Sequence, residues 1–135
     1  MRYSRRRGPA ANYDCTAAFT LIPGLTISRY WDEGEILICT RAAIFNNAGG
    51  AGLFSISPYL DGVAILPAPP LFNIPNASNA NISATLLQAL TQGPHTLALY
   101  VLGLAPPGDI VLAQNAELIV IQLGVWDSDR DIITL

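Results

Sequence analysis

Short apolar runs separated by turn-forming residues make up most of the chain from Asp14 onward. The clearest unit covers residues 53–66, where two apolar runs flank Asp61-Gly62, the dipeptide best suited to a two-residue type I′ hairpin turn. Further turn signals, such as Asn46–Gly50 and Gly93-Pro94, recur roughly every 8–12 residues. No stretch shows a convincing helical period, so the pattern predicts an all-β protein with about eight or nine strands in a sandwich.

Two of the predicted strands are apolar on both faces. A sheet face that meets water carries polar residues at alternate positions, and a two-layer sandwich covers only one face of each sheet. We assign one set of alternate positions to the core, namely Ile119, Ile121, Leu123, Leu97, Leu99 and Val101. The other set is expected to contact further copies of the chain in a closed symmetric ring. This predicted oligomer interface comprises Leu118, Val120, Gln122, Ala98, Tyr100 and Leu102.

The composition supports self-association. Hydrophobic residues make up 51% of the chain and charged residues 13%, whereas ordinary soluble domains carry about 25% charged residues. Part of the apolar excess is therefore expected to lie between subunits. No run approaches the roughly 20 apolar residues of a membrane-spanning helix, so no membrane span is expected. The start of the chain is basic without the apolar stretch of a signal peptide, so no classical export signal is expected either.

The distribution of charge predicts three parts. Residues 1–13 are interpreted as a flexible basic arm, residues 14–125 as the folded domain and residues 126–135 as a C-terminal tail. The arm holds four of the seven arginines, Arg2, Arg5, Arg6 and Arg7. It is interpreted as a solvated tail, as an anchor that docks on an acidic particle or subunit surface, or as a segment that binds packaged nucleic acid. The net charge of −3 leaves the body acidic, so nucleic-acid binding by the body is not expected.

Residues that could support catalysis or metal binding are few. His95 is the one histidine, there is no G-x-S-x-G motif, and the protein is therefore expected to have no enzymatic activity and no cofactor. Cys15 and Cys39 are interpreted as two buried thiols or as a single disulfide bridge. The segment Asp127–Asp131 imitates the start of a calcium loop, but Ile132 stands where the glycine belongs, so it is interpreted as an acidic tail without metal.

Three segments resemble a known family. They are Leu53 to Leu66 (LFSISPYLDGVAIL), Gly93 to Gly103 (GPHTLALYVLG) and Ala116 to Gly124 (AELIVIQLG). Their order resembles the TNF/C1q-like jelly roll, in particular the C-terminal domain of collagen-like glycoproteins of the bacterial spore surface, and also small jelly rolls that decorate virus particles or form fibre heads. His95 and Leu97 stand where that group has an aromatic pair, and no collagen-like stem precedes the domain.

The resemblance implies a two-sheet antiparallel jelly-roll sandwich that forms a homotrimer. The leading hypothesis is a structural protein of the virion surface, a phage capsid decoration or fibre-head protein, because a short domain with a basic arm suits that use better than a spore stalk. One alternative is a carbohydrate- or receptor-binding module that uses Tyr30, Trp31, Tyr59 and Trp126. Another is a trimeric capping domain on a bacterial spore or cell surface.

Overall fold

The computed structural model describes residues 2–47, 49–67, 69–104 and 110–124. All regular elements of these residues are β-strands. They are β1 (Arg2–Gly8), β2 (Tyr13–Asp14), β3 (Thr20–Trp31), β4 (Gly34–Asn46), β5 (Gly52–Leu60), β6 (Val63–Ala64), β7 (Phe72–Ile74), β8 (Ser78–Leu90), β9 (Gly93–Leu104), β10 (Ile110–Leu112) and β11 (Ala116–Gly124). Within this described part of the chain there is no helix long and apolar enough to cross a membrane.

The strands form two antiparallel sheets. Sheet A has the order β1-β11-β4-β10-β2, and β8 pairs with β4 along its other edge. Sheet B has the order β3-β9-β5-β6, and β7 also pairs with β5. The two sheets pack face to face, so the predicted fold class, a two-sheet antiparallel jelly-roll sandwich, is confirmed.

The core lies between the sheets and takes one face of each central strand. Alternate residues of β4, among them Ile36, Ile38 and Ile44, are fully buried, and so are Leu97 and Leu99 of β9. Each such side chain stabilises the fold by about 1.5–3 kcal/mol relative to an exposed one. The period of two that the sequence shows in these strands therefore reflects one buried face per sheet.

The predicted Asp61-Gly62 hairpin is confirmed. These two residues join β5 to β6, and both have the positive φ that a type I′ turn requires, 51° at Asp61 and 83° at Gly62. Aspartate is among the residues that tolerate this left-handed conformation, so the turn costs little backbone strain.

Residues 2–8 depart from the predicted flexible arm. They form β1, an edge strand of sheet A whose register runs from Arg2 opposite Gln122 to Gly8 opposite Ala116. The arginines do not prevent pairing, because the Glu117 carboxylate on β11 lies 2.9 Å from the Arg5 guanidinium and 3.6 Å from that of Arg7. The predicted tail, residues 126–135, and the calcium-like segment within it lie outside the described residues.

The two cysteines are not joined in a disulfide. Cys15 is buried, whereas Cys39 is half-buried on the outward face of β4. Of the two interpretations of these residues, the structure therefore supports separate thiols.

Candidate functional site

Half of the predicted oligomer interface lies inside the sandwich. Leu118 and Val120 of β11 are fully buried within a single chain. Gln122 is also buried, and its Nε2 donates a hydrogen bond of 2.8 Å to the carbonyl oxygen of Asp32. These three residues belong to the core face of β11, so the sequence-based assignment of its two faces was reversed. The alternation could not distinguish them, because both faces of this strand are apolar.

The outward face of β11 forms part of a continuous apolar surface on sheet A. The strand registers align Tyr3, Ile121, Leu37 and Leu87 side by side across β1, β11, β4 and β8. Tyr3 is 58% exposed and Leu87 is 55% exposed. With neighbouring strands about 4.8 Å apart, the row is about 14 Å wide. Sequence analysis missed this surface, although the signal was present in the same alternation.

We call this surface the apolar band, and it includes the neighbouring outward residues of β4 and β11. Its members are Tyr3, Leu37, Cys39, Leu87, Ile119, Ile121 and Leu123. Leu123 is 49% exposed, and Ile119 is aligned with Cys39 in the ladder. A contiguous apolar patch of this kind on a sheet face is typical of a surface that contacts another protein.

A polar region borders the apolar band on the same face. Glu117 lies opposite Arg41 in the ladder and pairs with Arg5 and Arg7 on its other side. Beside it is a depression of about 310 Å³ lined by Arg41, Ala42, Ala43, Asn81, Ile82, Ser83, Gln114, Asn115, Ala116 and Glu117. Its amides, hydroxyl and charges supply both hydrogen-bond donors and acceptors.

The other half of the predicted interface points away from the core. Ala98, Tyr100 and Leu102 lie on the outer face of sheet B, since Leu97, Leu99 and Val101 fill the core positions of β9. Tyr100 stacks on Tyr59 with ring centroids 3.9 Å apart. These three side chains lie on the outer face, as predicted. Contact with another subunit through them stays a prediction.

His95 is held by partners on both sides of its ring. Its Nδ1 lies 2.7 Å from a carboxylate oxygen of Asp61, and its Nε2 lies 2.9 Å from the carbonyl oxygen of Thr91 and 3.3 Å from the hydroxyl of Thr91. Asp61 also accepts a hydrogen bond of 2.8 Å from the backbone amide of Thr96. The two contacts of Asp61, with His95 and Thr96, hold the β5–β6 turn against the start of β9.

These hydrogen bonds shift the pKa values of both His95 and Asp61. The hydrogen bond to Asp61 raises the pKa of His95 above its ordinary value. The hydrogen bonds from His95 and from the Thr96 amide lower the pKa of Asp61. Because a carboxylate and a carbonyl both accept, both ring nitrogens are needed as donors, which favours the imidazolium form. A nitrogen that donates to a carbonyl is poorly placed to take a proton from the Thr91 hydroxyl, so the cluster does not form an activated nucleophile.

Of the aromatic residues considered for sugar stacking, the three that the structure describes, Tyr30, Trp31 and Tyr59, are not brought together. Trp31 is fully buried, with the Arg29 guanidinium 3.8 Å from the centre of its ring. Tyr30 is exposed on the outer side of β3, and Tyr59 stacks on Tyr100. Trp126 lies outside the described residues. Among the described residues there is also no group of three or more histidine, cysteine or acidic side chains that could hold a metal ion.

The similarity of this chain to known proteins is a similarity of fold. No protein-family model matches the chain, and no curated protein sequence matches it. A chain in the structure of infectious bursal disease virus, Gx strain, is similar over 93% of this chain with 14% identity and a TM-score of 0.54, and this chain spans 35% of it. The CBM36-1 domain of a multidomain xylanase from the hindgut metagenome of Trinervitermes trinervoides is similar over 92% of this chain and 100% of the domain, with 14% identity and a TM-score of 0.51.

A third similar structure is Eiger TNF from S. frugiperda. It covers 98% of this chain and 97% of its own, with 12% identity and a TM-score of 0.48. The two structures with TM-scores above 0.5 show similarity of fold alone, so function is argued from the surface of this chain.

Proposed function

We propose that the chain is a non-enzymatic structural protein that assembles as a homotrimer on the surface of a virus particle. The observation that carries this proposal is the apolar band, which runs without a charged residue from Tyr3 on β1 to Leu87 on β8. Strands hold its side chains in a fixed row, so the surface is formed before any partner binds. A preformed surface lowers the ordering cost of association.

The partner that fits the band best is another copy of the chain. With only 13% charged residues, the chain has little polar surface with which to keep such a patch in water as a monomer. A ring of three requires a heterologous contact, in which the apolar band of one subunit packs against a different surface of the next, and it closes when the rotation between copies allows it. The homotrimer is the ring implied by the resemblance to TNF/C1q-like domains.

Docking on the particle is assigned to the arginines of β1. Arg5, Arg6 and Arg7 are exposed at the edge of sheet A, and Arg2 precedes them in the same strand. Glu117 offsets part of the charge of Arg5 and Arg7. Guanidinium groups fixed on a strand can form paired hydrogen bonds with carboxylates of an acidic particle surface.

Carbohydrate binding is the second candidate function, and the polar depression favours it. The depression of about 310 Å³ presents Arg41, Asn81 and Gln114 to solvent, which suits hydroxyl groups. A glycan-array screen with Asn81→Ala as the comparison variant tests this candidate. Binding that the variant abolishes would place a ligand in the depression.

The oligomeric state tests the leading proposal. We expect light scattering after size-exclusion chromatography to give three times the 14.4 kDa mass of the chain. Leu87→Glu places a charge in the apolar band on an exposed edge strand and should weaken association by at least about tenfold, since a charge in a desolvated interface is costly. The matched control is Asn79→Glu, on the same strand and the same face but beside Phe45, outside the band. A monomeric wild-type protein, or equal behaviour of the two variants, contradicts the proposal.

A further inference from the structure

A row of charged and polar side chains crosses the outer face of sheet A, next to the polar depression. The strand registers align Arg7, Glu117, Arg41 and Ser83 across β1, β11, β4 and β8. Residues opposite each other in an antiparallel ladder point to the same side of the sheet. Three members of the row, Glu117, Arg41 and Ser83, line the depression. The register of four strands therefore places a charged group of each sign at this site.

The two charges in the depression differ in how far they are neutralised. The Glu117 carboxylate lies 2.9 Å from the Arg5 guanidinium and 3.6 Å from that of Arg7, so its charge is offset from the β1 side. Arg41 is exposed, and among the residues that the structure describes none forms an ion pair with it. The depression therefore offers a positive charge to a ligand. A planar guanidinium suits a carboxylate, because the two groups can form paired hydrogen bonds.

Neutral polar side chains surround Arg41 in the depression. Asn81 and Ser83 come from β8, whereas Gln114 and Asn115 come from the turn between β10 and β11. All four residues are exposed, and within the described part of the chain their side chains form no hydrogen bond. Amides and a hydroxyl in this state can both donate to and accept from the hydroxyl groups of a ligand.

The described residues that line the depression include no aromatic side chain. A sugar ring bound there cannot stack on an aromatic ring, so its affinity depends on hydrogen bonds and charge. Hydrogen bonds to an ionised group are about twice as strong as neutral ones. A saccharide that presents an anionic group to Arg41 is therefore favoured over a neutral one. The volume of about 310 Å³ lies at the lower end of the range for ligand pockets, which suits a short saccharide.

We propose that the depression binds an acidic saccharide, whose carboxylate pairs with the Arg41 guanidinium. The hydroxyl groups of the sugar form hydrogen bonds with the side chains of Asn81, Ser83 and Gln114. This inference rests on the second candidate function, carbohydrate binding, and names the class of sugar. It does not depend on the homotrimer or on docking through the arginines of β1.

Titration calorimetry with matched pairs of sugars tests the role of the charge. The probes are oligosaccharides that contain glucuronic, galacturonic or sialic acid, each with a counterpart whose carboxyl group is reduced to a primary alcohol. We expect at least one acid to bind at least about tenfold more tightly than its counterpart, because a hydrogen-bonded charge pair is lost on reduction. Equal affinities within every pair would overturn the acidic-sugar inference and leave carbohydrate binding standing. A lack of binding by all of these sugars would overturn both.

Variants of the lining residues test where the sugar binds. Arg41→Gln should weaken binding of the acidic sugar by at least about tenfold and change binding of the reduced sugar by less than about twofold. Asn81→Ala should weaken both sugars by about threefold, the effect of one neutral hydrogen bond. The matched control is Asn79→Ala, on the same face of β8 and outside the depression, which should weaken neither. Unchanged affinity in Arg41→Gln, or an equal loss for both sugars, would contradict the pairing of the carboxylate with Arg41.

Discussion

At the scale of single residues, the His95 cluster has a chemistry that follows from its acceptors. The ring lies between the Asp61 carboxylate and the Thr91 carbonyl, and its side chain is only 14% exposed. Sequence analysis identified His95 as the one histidine, and it gave no sign that Asp61, from the β5–β6 hairpin turn, would lie beside it. The pairing depends on the register between β5 and β9, which places Leu60 opposite Leu97. Such a register is a property of the folded sheets rather than of local sequence.

The Asp61–His95 pair predicts a stability that depends on pH. Because the pKa of His95 is raised in the folded protein, its contribution is complete below about pH 6.5 and is lost as the pH rises through the folded-state pKa. Because the pKa of Asp61 is lowered, its contribution is present above about pH 3.9 and is lost as the pH falls through the lowered value. The pair therefore stabilises the fold most between about pH 4 and pH 6.5.

Replacing Asp61 tests this window. Asp61→Asn retains a residue that tolerates positive φ and removes the charge. Since Asp61 is 47% exposed, we expect the free energy of unfolding to fall by about 0.5–1 kcal/mol near pH 5.5 and by much less near pH 8.5. Urea denaturation at the two pH values measures the difference, and Glu33→Gln in the β3–β4 turn is the control. An equal loss at both pH values would show that the charge on His95 contributes nothing.

At the scale of strands, one edge of the sandwich is formed by β1 of sheet A packed beside β3 of sheet B. This edge depends on a close approach between the backbones of the two strands. A Cβ atom added at Gly8 would overlap the carbonyl oxygen of Pro23, which is a backbone atom that cannot rotate away. Next to it, Gly24 has a φ of 85° and lies against the carbonyl oxygen of Arg7. Glycine at both positions lets the bend in β3 contact the end of β1.

Gly8→Ala should therefore disturb this edge. We expect a loss of about 1–3 kcal/mol in the free energy of unfolding, because the backbone must move to relieve the overlap. Arg6→Ala in the same strand is the matched control and should change stability by less than about 0.5 kcal/mol, since that side chain is exposed. Chemical denaturation of both variants measures the two changes in the free energy of unfolding. Similar small effects would mean that β1 contributes little to the fold.

The strands also show what could be predicted from sequence. Turn chemistry predicted the β5–β6 hairpin correctly, because Asp61-Gly62 specifies its own conformation. The pairing of β1 could not be predicted in this way, since it depends on Glu117, which is more than a hundred positions away and offsets the arginine charge. The two faces of β11 were equally ambiguous, because the choice between Leu118 and Ile119 is made by which side β3 and β9 occupy.

At the scale of the whole molecule, the outer faces of sheets A and B differ in how their apolar side chains are arranged. The outer face of sheet B carries Tyr59 and Tyr100, which already cover each other by stacking. Tyr3, Leu87 and Leu123 of the apolar band on sheet A are about half exposed. The strand registers place Tyr3 and Leu87 in one row with Ile121 and Leu37, whereas the exposed apolar residues of sheet B are spread over β3, β6, β7 and β9. Burying such a contiguous row between copies is favourable, because the gain grows with the apolar area removed from water.

This difference predicts how the assembly responds to salt. If the apolar band holds the copies together, raising the ionic strength from about 0.05 M to about 0.5 M should change the dissociation constant by less than about threefold, because screening acts on charges. Association should also show a negative heat-capacity change, the mark of apolar burial. Sedimentation velocity and calorimetric dilution measure the two quantities, with Asn79→Glu as the reference variant. Dissociation on adding salt would instead assign the contact to the charged border around Glu117, where Arg5 and Arg7 already compete for the same carboxylate.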